Sequence, residues 1–266
     1  MLVATFIVVA SFTCYCCNSE FITLYENKEA GLDVFYYLED VGGSLPNYIF
    51  ITFMAANIFT IDLFKARKSK VKHMEIERLG YKKVFIQNIK SIIISSAIFR
   101  IVCFIAMILT ISVICHGFHF DLPKETQFLY QDLYLYSNNP LISFLIYILL
   151  STVGYSMFCL LIYIAGYFVK NEYLYRCLGV IFGIVGQVGL AMLTALFGTN
   201  GSVGFDYLVI NTMFVGNLLC PNICTIGYKP PEISFYIPVI LALIFFGWII
   251  FKLLKYIYKK EYREGS

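Results

Sequence analysis

Two charged residues lie inside apolar stretches of this 266-residue chain and are the first candidates for chemistry. Asp62 falls near the end of the apolar run 46–64, and Arg100 falls inside the run 93–115. A charge at the centre of a bilayer costs about 2.5 to 3.5 kcal/mol on insertion scales, so each should have a partner. We predict that Asp62 and Arg100 pair. The alternative is that each side chain extends separately to the lipid headgroups, and that Asp62 pairs with Lys65.

Uncharged polar residues inside apolar stretches are weaker candidates. Asn57 and Gln187 are placed for hydrogen bonds between helices or for a substrate path.

The sequence motifs of the common hydrolytic enzymes are absent. No Gly-Lys pair occurs, which excludes a phosphate-binding P-loop, and there is no His-Glu-x-x-His. The three histidines, His73, His116 and His119, lie outside the apolar runs. Cys115 and Asp121 near the last two make only a weak metal constellation, which we interpret as loop residues. We therefore predict no catalytic residue, no metal and no cofactor, and a chain that is not an enzyme.

The composition predicts an integral membrane protein. Hydrophobic residues make up 59% of the chain and charged residues 14%, with a mean hydropathy of +0.76, whereas soluble domains are about half apolar and about a quarter charged. A net charge of +3 does not favour nucleic-acid binding.

We predict an all-α polytopic protein with one transmembrane domain over 1–266. Its six spans are predicted at 2–16, 46–64, 93–115, 141–169, 178–197 and 235–251. The first span has the alternative of a cleaved signal peptide.

The basic residues indicate the orientation. Nine lie between spans two and three, and others follow spans four and six, whereas the remaining connections hold only Lys28, Lys124 and Lys229. By the positive-inside rule both termini are cytoplasmic.

Cysteines near the predicted outer face allow two disulfide interpretations. Cys220 could join Cys224, or Cys115 could join the cluster Cys14, Cys16 and Cys17. Free thiols are the expected state for most of the cysteines.

The segment 65–90 has the features of a partner-binding surface. Met74, Ile76 and Leu79 recur near helical spacing, Gly80 is typical of a helix stop, and an amphipathic lead into span three follows. The residues presented to the cytosol would be Glu75, Glu77, Arg78, Leu79, Gly80 and Tyr81. The alternative is a basic loop held on anionic lipid, at about 1 kcal/mol for each Lys or Arg.

Six spans with both ends inside, and the stretch Glu-x-Glu-Arg-x-Gly-Tyr-Lys-Lys after span two, resemble the membrane subunits of type-2 ABC exporters. The resemblance implies a permease subunit in which 65–90 is the coupling segment for a separate ATP-binding cassette ATPase. It also implies a second permease subunit, identical or different, contact with membrane lipid, and an outer segment at 199–232 that dips into the membrane. The expected location is the bacterial plasma membrane.

A second function remains open from the residues alone. A non-transporting membrane protein, such as an immunity protein, a sensor or an assembly factor, could use the same basic loop to contact lipid or protein.

Overall fold

A computed structural model describes residues 2–16, 31–40, 45–67, 76–120, 136–186, 189, 203–223 and 233–264. Over these residues the chain is helical and contains no strand, so the all-α prediction is confirmed. The helices are, in chain order, α1 (Leu2–Cys16), α2 (Leu32–Glu39), α3 (Leu45–Asn57), α4 (Ile61–Ala66), α5 (Tyr81–Ile114), α6 (Pro140–Ala165), α7 (Glu172–Val180), α8 (Val203–Met213), α9 (Gly216–Leu219) and α10 (Tyr236–Glu264).

Four helical stretches are long and apolar enough to cross a membrane. They are Leu45–Ala66, Tyr81–Ile114, Pro140–Ala165 and Tyr236–Lys260, whereas α1 is a shorter apolar helix. About 20 residues are needed to span a bilayer core. The described part of the chain therefore contains four candidate membrane spans and is compatible with a membrane protein.

Several helix bounds differ from the predicted bounds of the spans. The second stretch is two helices, α3 and α4, joined by a turn in which Thr60 Oγ1 donates to the carbonyls of Ala55 and Ala56. Helix α5 begins twelve residues before 93, because the amphipathic lead is continuous with the apolar span. The expected fifth span starts in α7 and a π-helical turn, Ile181–Val185, and its remainder, with Gln187, lies outside the described residues.

Contacts between the long helices define their directions. Helices α5 and α6 run antiparallel, since Ser96 contacts Ser156 at one level and Phe104 contacts Tyr147 at another. The ring of Tyr81, at the start of α5, packs on Tyr258 of α10. We call this end of the helices the Gly80 end, and the opposite end, where α6 and α10 begin, the Tyr136 end.

Helices α2 and α9 are short and pack among the long ones. The ring of Phe35 in α2 contacts Phe104, Phe144 and Tyr147 at 5.0 to 6.0 Å between ring centroids. Helix α9 lies directly on the middle of α6, where a Cβ built on Gly154 would stand 1.8 Å from the carbonyl oxygen of Leu218. Glycine at this position is therefore required by the close approach of two backbones.

Candidate functional site

An ion pair lies at the centre of the described helices. Arg100, near the middle of the 34-residue helix α5, is 0% exposed, and Glu39, the last residue of α2, is 2% exposed. Arg100 Nη2 donates to Glu39 Oε2. The expected pairing of Arg100 with Asp62 is wrong, because Asp62 is exposed on α4 while the guanidinium is enclosed with Glu39.

Arg100 makes further contacts with α6 and α9. Its Nε and Nη2 donate to Ser151 Oγ at 3.2 and 2.9 Å, and Nη2 also donates to the carbonyl oxygen of Leu219 at 3.2 Å. The guanidinium carbon lies 4.3 Å from the ring centroid of Phe104. One charged side chain on α5 thus contacts residues of three other helices, α2, α6 and α9, and a buried charge with such partners is stable where an isolated one is not.

The carboxylate of Glu39 has a matching set of donors. Tyr147 OH donates to Oε2 at 2.8 Å, and the thiol of Cys220 lies 3.8 Å from the same oxygen. Glu39 stands at the C-terminus of its helix, where the partial charge of the backbone is negative and disfavours a carboxylate. The cation of Arg100 offsets this unfavourable position.

The two short helices end at the same side chain. The carbonyl of Leu219 belongs to the last turn of α9, which has no intrahelical partner, and it accepts from both Arg100 and Ser151 Oγ. Arg100 therefore holds the C-termini of α2 and α9 together in the middle of the long helices. We call Arg100, Glu39, Tyr147, Ser151 and the Leu219 carbonyl the Arg100 cluster.

A second charged group lies at the Gly80 end. Glu172 Oε1 contacts Lys65 Nζ at 3.1 Å and Arg176 Nη2 at 2.8 Å. The hydrogen bonds from Arg176 and then from Lys65 hold the pKa of Glu172 below its ordinary value. Lys65 is thus paired with Glu172 in this structure.

Asn57 makes one of the predicted hydrogen bonds between helices. Its Nδ2 donates to the carbonyl of Arg176 at 3.0 Å, which joins α3 to α7.

The predicted partner-binding surface lies at the start of α5. Glu77, Arg78, Leu79 and Gly80 are exposed, whereas Glu75 lies outside the described residues. Gly80 has φ +79°, ends a helical turn over 76–79 and immediately precedes α5, which confirms it as a helix stop. Beside it is an open groove of about 670 Å³, lined by Leu79, Gly80, Tyr81, Lys82, Lys83, Ile86, Gln87 and Lys90.

The structure contains neither of the two disulfides considered, and it groups no metal ligands among the described residues. Cys115 and Cys220 are free thiols, so Cys220 is not joined to Cys224. Among the described residues no three His, Cys, Asp or Glu side chains are grouped to hold a metal ion, and Asp121 is not among those residues.

No family model, no curated protein and no solved structure matches this chain.

Sequence reasoning located Arg100 but missed Glu39. The available signal was the apolar segment 34–38, which is followed by two carboxylates in a connection that the positive-inside rule predicts to be external. Glu39 follows a short apolar segment and lies outside the long apolar runs, so a pairing rule restricted to those runs selects Asp62 instead.

Proposed function

We propose that this chain is the membrane-spanning permease subunit of an ATP-driven exporter, and that a separate ATPase binds the surface Glu75, Glu77, Arg78, Leu79, Gly80 and Tyr81. The observation that carries the proposal is the continuity of α5. This one helix runs from Tyr81, beside the exposed surface, to Arg100 in the buried cluster and on to Ile114.

A continuous helix transmits displacement. Arg100 lies about 28 Å along the axis from Tyr81, at about 1.5 Å per residue. Because Gly80 interrupts the backbone immediately before α5, a partner bound there would push on the end of a rigid rod. Movement of that rod shifts Arg100 relative to Ser151 and Leu219, and so changes the restraint on α2 and α9. Arg100 would then couple the Gly80 end to the Tyr136 end.

The remaining features of the proposal follow from the basic residues and the resemblance. The Gly80 end would be cytoplasmic in a bacterial plasma membrane, six spans would place both termini there, and a second permease subunit would complete the path. Hydrolysis of ATP would take place on the partner ATPase.

The test is co-purification from native membranes. The full chain should elute with a P-loop ATPase in fixed stoichiometry and with ATP hydrolysis in the eluate. The double change Arg78→Glu and Gly80→Pro should remove both while the variant still inserts. Lys252→Glu is the matched control, since it reverses an exposed charge on α10 about 9 Å along the helix from Tyr258, the residue that packs on Tyr81, and it should retain the ATPase.

The competing function gives the opposite result. A non-transporting protein that uses its loop on lipid would co-purify with no ATPase, and neutralising the lysines around the groove would abolish its role while Glu77 and Arg78 stay intact. Unchanged ATPase binding by the Arg78→Glu, Gly80→Pro variant would contradict the docking surface.

A further inference from the structure

An apolar cavity of about 310 Å³ lies between α6, the π-helical turn after α7, the residue preceding α9, and α10. All ten residues that line it are hydrophobic, among them Leu161, Ala165, Phe182, Phe246 and Leu253. The cavity is separate from the Arg100 cluster and from the groove beside Gly80.

The cavity is elongated along the helices. Its lining on α6 extends from Phe158 to Ala165, which is about 10 Å at about 1.5 Å per residue, and continues to Phe168 in the turn after α6. On α10 it extends from Phe246 to Leu253, toward the Gly80 end. Phe168 is 62% exposed and Phe182 is 44% exposed, so the cavity opens at that end and to the side of the helices.

These dimensions and this chemistry favour a hydrocarbon chain as the occupant. Water needs two to four polar partners to stay in a cavity, and this lining offers hydrophobic side chains only. The volume is about twice that of an apolar cavity of about 150 Å³ that binds benzene, and it lies at the lower end of the range of about 300–1,000 Å³ for ligand pockets.

Charge at the rim indicates the headgroup. Lys260 is exposed and lies about two helical turns beyond Leu253 on the same face of α10, and helical side chains lean back toward the N-terminus of their helix. Its amine is therefore directed toward the open end of the cavity. Lys255, also exposed, lies on the opposite face of α10.

We propose that this cavity binds one acyl chain of an anionic phospholipid, whose headgroup contacts Lys260. The site would hold a lipid whether or not the chain is an exporter, so it does not depend on the function proposed above.

The test uses tryptophan fluorescence, since Trp248 is the single tryptophan in the chain. In a Trp248→Phe background, Phe182→Trp places a reporter in the cavity lining, and Ile244→Trp places a control on α10 at a residue that is 64% exposed and does not line the cavity. Delipidated protein in detergent is titrated with phosphatidylglycerol that carries a dibrominated acyl chain. Quenching of the cavity reporter should saturate at low lipid content, whereas quenching of the control should rise in proportion to lipid content.

Two further variants test the cavity itself. Ala165→Phe fills the cavity and should remove the saturable quenching, whereas Leu149→Phe, at a residue of α6 that is 64% exposed, should not. Identical curves for the two reporters, or saturable quenching that survives Ala165→Phe in a variant that elutes as the wild type does, would overturn the site.

The headgroup is tested by replacing phosphatidylglycerol with phosphatidylcholine of the same brominated chain. The anionic lipid should bind about fivefold more tightly, which corresponds to about 1 kcal/mol for one lysine near an anionic lipid. Lys260→Gln should remove this preference and Lys255→Gln should keep it. Equal affinities for the two lipids in the wild-type cavity would contradict the role of Lys260.

Discussion

Arg100 shows how one side chain can be both costly and indispensable. A guanidinium buried among helices is tolerated because Glu39 balances its charge and because Ser151 and the Leu219 carbonyl accept further hydrogen bonds from its Nε and Nη2. Its Nη1 has no hydrogen-bond partner among the described residues. Removing one partner of a buried pair typically costs about 3–5 kcal/mol, since an uncompensated charge is left behind. We therefore expect the residues of the Arg100 cluster to be far less tolerant of change than Asp62, which is exposed.

Ser151 offers the simplest residue-scale prediction. Its hydroxyl accepts from Arg100 and donates to the carbonyl of Leu219, and Ser151→Ala leaves the buried Nε of Arg100 without its acceptor. We expect the free energy of unfolding to fall by about 1–3 kcal/mol, measured by denaturant titration in detergent.

The control is Ser95→Ala. The Ser95 hydroxyl bonds to carbonyls of its own helix, at Ser91 and Ile92, so its loss should change stability little. Equal effects of the two substitutions would show that Ser151 does not serve the ion pair.

The residue-scale pattern was only half predictable from sequence. The position of Arg100 in an apolar run shows that its burial is costly. A buried charge needs a partner, but this reasoning does not say which residue the partner is. Glu39 could not be identified by that reasoning, because it lies outside the long apolar runs and reaches Arg100 through the packing of α2.

At the scale of helices, α2 and α9 depend on their surroundings. Isolated helices shorter than about 12–15 residues are marginal in water, and these have 8 and 4 residues. Their order therefore comes from packing against α5 and α6 and from the Arg100 cluster at their C-termini.

Substitution of Gly154 tests the close packing of α9 on α6. A methyl group at this position would meet the carbonyl of Leu218 at 1.8 Å, so the backbone of α9 must move. Gly154→Ala should lower the free energy of unfolding by about 1–3 kcal/mol or more, as overpacking does, measured by thermal unfolding in detergent.

Gly247→Ala is the matched control in α10. Its new methyl would stand 3.6 Å from Met157 Cε, an ordinary contact. Because alanine is the better helix former by roughly 0.5–1 kcal/mol, this variant should be unchanged or more stable. Destabilisation by Gly247→Ala as large as that by Gly154→Ala would contradict the close approach of α9 to α6.

Helices of different length were not equally predictable. Helices α5, α6 and α10 carry enough apolar residues for hydropathy alone to locate them, and Gly80 marks the start of α5 because its φ of +79° suits glycine. Helices α2 and α9 escaped prediction, because a short apolar segment has no periodicity long enough to distinguish it from a loop.

At the scale of the whole molecule, four of the described helices, α2, α5, α6 and α9, meet at one charged centre. Two antiparallel long helices, α5 and α6, supply Arg100 and Ser151, and segments from distant parts of the sequence supply Glu39 and Leu219. A displacement of α5 would change the contacts of Arg100 with both short helices, α2 and α9, at the same time. The proposed transport function depends on this arrangement.

A double-mutant cycle on Glu39 and Arg100 tests this centre most directly. Glu39→Leu and Arg100→Leu should each lower the free energy of unfolding by about 3–5 kcal/mol. The double variant should lose less than the sum by roughly 0.5–3 kcal/mol, the usual range for residues in contact. The parallel cycle of Asp62→Leu with Arg100→Leu should be additive, because Asp62 is exposed and apart from the pair. Additive effects for Glu39 and Arg100, or coupling between Asp62 and Arg100, would contradict the account.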